Sequence, residues 1–124
     1  MSSEGIYTEK ERNERIKKEL TRIKSAFKDL DEFRIVALDR LLYEAAFLST
    51  TLDETKQMIN RDGITEKYTN GANQCGYKKS SAVEVYDKFI ASYTKIIAQL
   101  TKELPDAASK NKAADAINDF LEGE

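Results

Sequence analysis

The sequence predicts an all-α fold: a long antiparallel helical hairpin with an N-terminal helix and a short C-terminal helix or tail. Three observations carry this. Glycine (5) and proline (1) are scarce in 124 residues, so long segments run without a helix breaker. Apolar residues recur in alternating steps of three and four along three segments. Capping patterns stand where two of those segments begin.

The first segment opens with Thr8-x-x-Glu11, in which a hydroxyl and a carboxylate satisfy each other's backbone N–H groups. Its stripe is Ile16, Leu20, Ile23, Phe27 and Leu30, one narrow face of a helix whose other faces are charged. The second segment spans about Asp31 to Asp62, with the stripe Leu38, Leu41, Ala45, Leu48, Leu52, Thr55 and Ile59. It predicts a rod of roughly 45 Å. Gly63 stands where a helix end favours a left-handed residue. Residues 63–80 interrupt the helical pattern. Asn70-Gly71 is a turn signal that allows a small hairpin, with Ile64, Tyr68 and Tyr77 placed to pin the loop to the helix ends. The third segment begins at Ser81-x-x-Glu84 and runs through Tyr86, Ile90, Tyr93, Ile97, Leu100 and Leu104 to Pro105, which ends it. Residues 106–124 form an acidic, alanine-rich amphipathic stretch.

Segments two and three, similar in length and joined by one loop, should fold back on each other. Ile35, Leu42, Phe47, Phe89 and Ile96 widen their apolar faces beyond a single seam. Further copies of the chain are the natural cover, which predicts a homo-oligomer with those residues at its interface.

Composition narrows the function. The chain has no histidine, which excludes Ser-His-Asp and Cys-His nucleophile systems and histidine-ligated zinc. No Walker loop, dinucleotide fingerprint or metal-ligand cluster is present. The carboxylate pairs Asp31/Glu32 and Asp53/Glu54 diverge on a helix and do not converge on an ion. No cofactor is expected, and the chain reads as non-catalytic. A single cysteine, Cys75, forms no internal disulfide, which fits a reducing cytoplasm. The N-terminus lacks the apolar segment of a secretion signal, and no apolar run is long enough to span a membrane.

The net charge of −2 is unevenly spread: +3 over residues 1–28, −2 over 29–105 and −3 over 106–124. The first helix carries Lys10, Arg12, Arg15, Lys17, Lys18, Arg22, Lys24 and Lys28. Lys17, Lys24 and Lys28 share one side; Arg15, Lys18 and Arg22 share another. Such rows can lie against phosphates and gain by counterion release. Lys78 and Lys79, beside Tyr68 and Tyr77, add a second basic and aromatic group. The plainer alternative is a solvated charged helix on a helical-hairpin adaptor or coiled-coil protein with no nucleic-acid role.

The stretch from Gly63 to Pro105 contains Tyr68-Thr69-Asn70-Gly71, Gln74-x-Gly76, Lys78-Lys79-Ser80, Val83-Glu84-Val85-Tyr86, Gln99-Leu100-Thr101 and Leu104-Pro105. With the Leu41-Leu42-Tyr43 to Gly63 helix before it, this resembles the small subunit of the phage DNA-packaging terminase, in the group without an obvious N-terminal helix-turn-helix signature. Ser81 departs from the proline expected in relatives. The resemblance implies a homo-oligomeric ring in the bacterial host cell that recognises viral double-stranded DNA and recruits the terminase large subunit, which carries the ATPase and nuclease. On this reading residues 1–30 are the DNA-binding helix and residues 31–105 the oligomerisation core. Residues 106–124 dock the large subunit through Ile117, Phe120 and Leu121.

Overall fold

The structure, a computed structural model, describes residues 5–69, 71 and 74–104. It contains α1 (Glu9–Ser25), α2 (Glu32–Asp62), β1 (Thr65–Thr69), β2 (Cys75–Lys79) and α3 (Ser81–Lys102).

Each helix starts at a side-chain cap. Thr8 Oγ1 accepts from Glu11 N (3.1 Å) and Glu11 Oε1 accepts from Thr8 N (2.9 Å), the full reciprocal box. Asp31 caps α2 by accepting from Arg34 N at 2.9 Å. The cap of α3 is Ser80 rather than Ser81: its hydroxyl accepts from Val83 N, while Ser81 gives its N–H and hydroxyl to Glu66 Oε1. At the other end of α2, Gly63 has φ 89°, a conformation open to glycine and strained for other residues.

α1 and α2 are antiparallel. Arg12 meets Glu54, Glu19 meets Ser49 and Lys24 meets Asp39, so positions fall along α2 as they rise along α1. Phe27 and Leu30, both buried, plug the short turn between the two helices. Ser80 N donates to Ile64 O (2.9 Å), which sets the end of α2 beside the start of α3 and turns α3 back along α2. The core between the three helices holds Ile16, Ile23, Leu42, Leu48, Leu52, Tyr93, Leu100 and Leu104.

Three expectations change. The fold is mostly helical but not all-α, because β1 and β2 pair as an antiparallel ribbon from Thr65↔Lys79 to Thr69↔Cys75. The Asn70-Gly71 turn signal lies between these strands. Ile64, Tyr68 and Tyr77 do not pin the loop: they are 67%, 42% and 74% exposed. Leu42 is fully buried inside the protomer, in the core cluster that residues of all three helices form, so it offers no surface to another copy. Ile35, Phe47, Phe89 and Ile96 are partly buried against the same core. The large apolar side chains left open on α2 are instead Phe33, Val36 and Tyr43. Pro105 and the whole of 106–124, with Ile117, Phe120 and Leu121, lie outside the described residues. Among the described residues, no helix is long and apolar enough to cross a membrane.

Candidate nucleic-acid interface

The basic helix α1 is held in place by a polar clamp at its N-terminal end. Glu54, on α2 and nearly buried, takes Ile6 N (2.8 Å) and Tyr7 N (3.0 Å) on one oxygen and receives Arg12 through both Nε (3.1 Å) and Nη2 (3.0 Å). Arg12 Nη2 also donates to Tyr7 O. Beside this, the Tyr7 hydroxyl donates to Asp53, and Gln57 Nε2 donates to both Tyr7 Oη (2.6 Å) and Asp53 Oδ2 (3.1 Å). Gly5 passes so close that a Cβ there would stand 2.5 Å from Glu54 Oε2, an oxygen already fixed by its hydrogen bonds. Burial alone would raise the Glu54 pKa. The hydrogen bonds from Arg12, Tyr7 and Ile6, together with the Arg12 charge, outweigh it and hold the carboxyl below its usual range. Arg12, one of the residues expected on DNA, is therefore turned inward and bound to Glu54.

The next turns of α1 open onto a cleft of about 300 Å³ between α1 and α2. Arg15, Lys18, Glu19 and Arg22 line one side, and Ser49, Thr50 and Asp53 the other. The Arg15 guanidinium stacks over the Tyr7 ring, 4.2 Å from its centroid, which fixes its plane and leaves its edge donors unblocked by that contact. Both carboxylates in the cleft are engaged. Glu19 accepts from Arg22 and from Ser49 (2.7 Å), and Asp53 accepts from Tyr7 and Gln57. Lys18 makes no ion pair among the described residues. With Arg22 paired to Glu19, Arg15 and Lys18 are the cations left to the cleft, and with Ser49 and Thr50 in the lining they form a seat suited to an anionic oxygen cluster such as a backbone phosphate.

The remaining basic residues lie elsewhere. Lys10 and Lys17 are exposed on a neighbouring strip of α1 with Glu9, Asn13 and Glu14. Lys24 pairs with Asp39 at 3.4 Å, and Lys28 is exposed in the turn after α1. Lys78 and Lys79 stand on β2, with Lys79 3.1 Å from Asp87. The i, i+3, i+7 spacing of Arg15, Lys18 and Arg22 thus marks a row that the fold does bring to one cleft. Sequence reasoning missed Tyr7, Asp53, Glu54 and Gln57, whose partners are more than 40 residues away. The one local hint was a glutamate two positions after Leu52 on a largely apolar helix. Among the described residues, no cluster of His, Cys, Asp or Glu could hold a metal ion, and Cys75 is exposed.

A second polar chain ties the cleft to the core. Tyr93 of α3, 2% exposed, is hydrogen-bonded to Ser49, which itself donates to Glu19. Burial, and then the Glu19 charge, push the Tyr93 pKa up to about 12. Burial, followed by the hydrogen bond to and charge of Asp53, does the same for Tyr7. A raised folded pKa means that stability is fully present below the unfolded tyrosine value of about 10 and is lost as pH rises through the folded value. Tyrosinate absorbance should therefore show a late step near pH 12 that coincides with loss of helicity. Ionisation of all six tyrosines with the helices intact by roughly pH 11 would contradict this assignment.

In comparisons with family models, curated proteins and solved structures, none matches this chain.

Proposed function

We propose that this chain is a non-catalytic small terminase subunit that binds viral double-stranded DNA as a homo-oligomeric ring and recruits the large ATPase-nuclease subunit. The observation that carries the DNA part is the α1–α2 cleft. There Arg15 and Lys18, with Arg22 paired to Glu19, line one side opposite Ser49 and Thr50, on a helix that the Glu54 clamp fastens to α2. The resemblance between Gly63 and Pro105 supplies the packaging context. DNA is held through phosphates, one seat per copy, and a ring multiplies that grip through effective concentration. Ile35, Phe47, Phe89 and Ile96, partly covered within one protomer, complete their burial against neighbouring copies. Phe33 and Val36, 82% and 73% exposed, extend that contact at the start of α2. Ile117, Phe120 and Leu121 dock the large subunit.

The test is a salt titration of binding to duplex DNA carrying the packaging origin, with native mass measured on the same samples. The wild-type protein should run as a multimer whose affinity falls steeply with salt. The Arg15→Glu/Lys18→Glu variant should keep its helicity, bind at least about tenfold more weakly and flatten the log–log salt slope by about two. A monomer at high concentration, or a variant that binds as the wild type does, would leave the helical-hairpin adaptor as the better reading.

A further inference from the structure

The β1–β2 ribbon has two unlike faces. Residues directly opposite in an antiparallel pair point to the same side. The register therefore puts Thr65, Lys67, Thr69, Cys75, Tyr77 and Lys79 on one face, and all six are exposed. On the other face Tyr68 packs across the ribbon over Gly76, where a Cβ would meet the Tyr68 hydroxyl at 3.2 Å, and Glu66 bonds both the backbone and the hydroxyl of Ser81. Glu66 thus anchors the base of the ribbon to the start of α3, and the first, outer face stays open. That outer face holds no carboxylate of its own. Tyr77, 74% exposed, stands opposite Lys67 and two residues from Lys79, whose ammonium makes an exposed pair with Asp87 of α3. Lys78, opposite Glu66, is exposed on the other face. A large aromatic ring left in water between lysines, on an anchored support, has the chemistry of a phosphate- and base-contacting surface.

We propose that this ribbon is a second DNA-contacting element, which lays its outer face into the major groove of duplex DNA. There Lys67 and Lys79 meet phosphates and Tyr77 reaches base edges. The inference rests on the reading of the protein as a duplex-DNA binder. Charge complementarity selects the occupant, and size selects the groove. Two strands about 4.8 Å apart, with their side chains, match a groove about 12 Å wide.

The experiment uses the full chain with a duplex and a single-stranded oligonucleotide of equal length. It compares wild type, Lys67→Ala/Tyr77→Ala and the cleft variant Arg15→Glu/Lys18→Glu. The ribbon variant changes only exposed side chains and should keep wild-type helicity. It should bind duplex about tenfold more weakly, with a salt slope lower by about one. It should also lose protection of guanine N7, a major-groove atom, from methylation. A photo-crosslinker placed by Tyr77→p-benzoylphenylalanine should capture the duplex. Wild-type duplex affinity, salt slope and N7 protection in the ribbon variant would overturn the inference while leaving the cleft reading intact. Loss confined to the ribbon variant would support the ribbon and refute the cleft. A defect seen only with the single strand would overturn the duplex assignment, and absence of duplex binding by the wild type would overturn both.

Discussion

Tyr93→Ala is expected to lower the unfolding free energy by about 4 kcal/mol, the range for deleting a fully buried aromatic side chain. Tyr93 is 2% exposed and comes from α3, yet its hydroxyl meets Ser49 of α2, which in turn bonds Glu19 of α1. Its removal opens a cavity where three helices meet and strips Ser49 of a hydrogen-bond partner. Tyr93→Phe keeps the ring and loses only the hydroxyl bond, so it should cost about 1 kcal/mol. Denaturant unfolding at fixed protein concentration checks both, since association would otherwise shift the midpoint. A Tyr93→Ala protein within ~1 kcal/mol of wild type would show that the three-helix junction does not hold the fold together.

Glu54→Ala is expected to cost about 2–3 kcal/mol, because it leaves two backbone N–H groups and the Arg12 guanidinium without their acceptor. The loss is smaller than for a fully buried pair because the Arg12 side chain is 33% exposed. The loss should be local as well as global: residues 5–8 should become cleavable by protease before α2 and α3 do. The same carboxylate gives the wild-type protein an acid limit. Its pKa is depressed in the folded state, so its contribution is present above the unfolded value of about 4.3 and disappears as pH falls through the folded value. Glu54→Ala should therefore flatten the acid limb of the stability profile. An unchanged acid limb in the variant would mean that the clamp carries no stability.

Much of this fold was legible because its signals are local. The Thr8–Glu11 box, the Gly63 stop and the three-four stripes each depend on residues within a turn or two of one another, and each appears in the structure as expected. Two serines in succession defeated the cap assignment at α3. The ladder bond from Ser80 N to Ile64 O extends that residue's backbone, so Ser80, not Ser81, enters the helix as its cap. Leu42 was misplaced for a different reason: it is sealed in the core of one protomer, and a one-dimensional stripe does not report which flanks meet. The basic row of α1 was legible, but the difference between Arg12 and Arg15, one turn apart, was not. Glu54 decides it from 42 residues away by binding the first and leaving the second over an aromatic face.

The polar partners that α1 finds on α2 run from Asp39 to Glu54, so the last two turns of α2 and the ribbon after it lie beyond them. Five-residue strands add a prong of roughly 17 Å to that end. Bending it would break the Glu66–Ser81 bonds and the Ser80 N–Ile64 O bond that tie it to the helix ends. The protein is thus a handle with a fixed finger: whatever the finger presses against meets a shape set by the helix ends behind it.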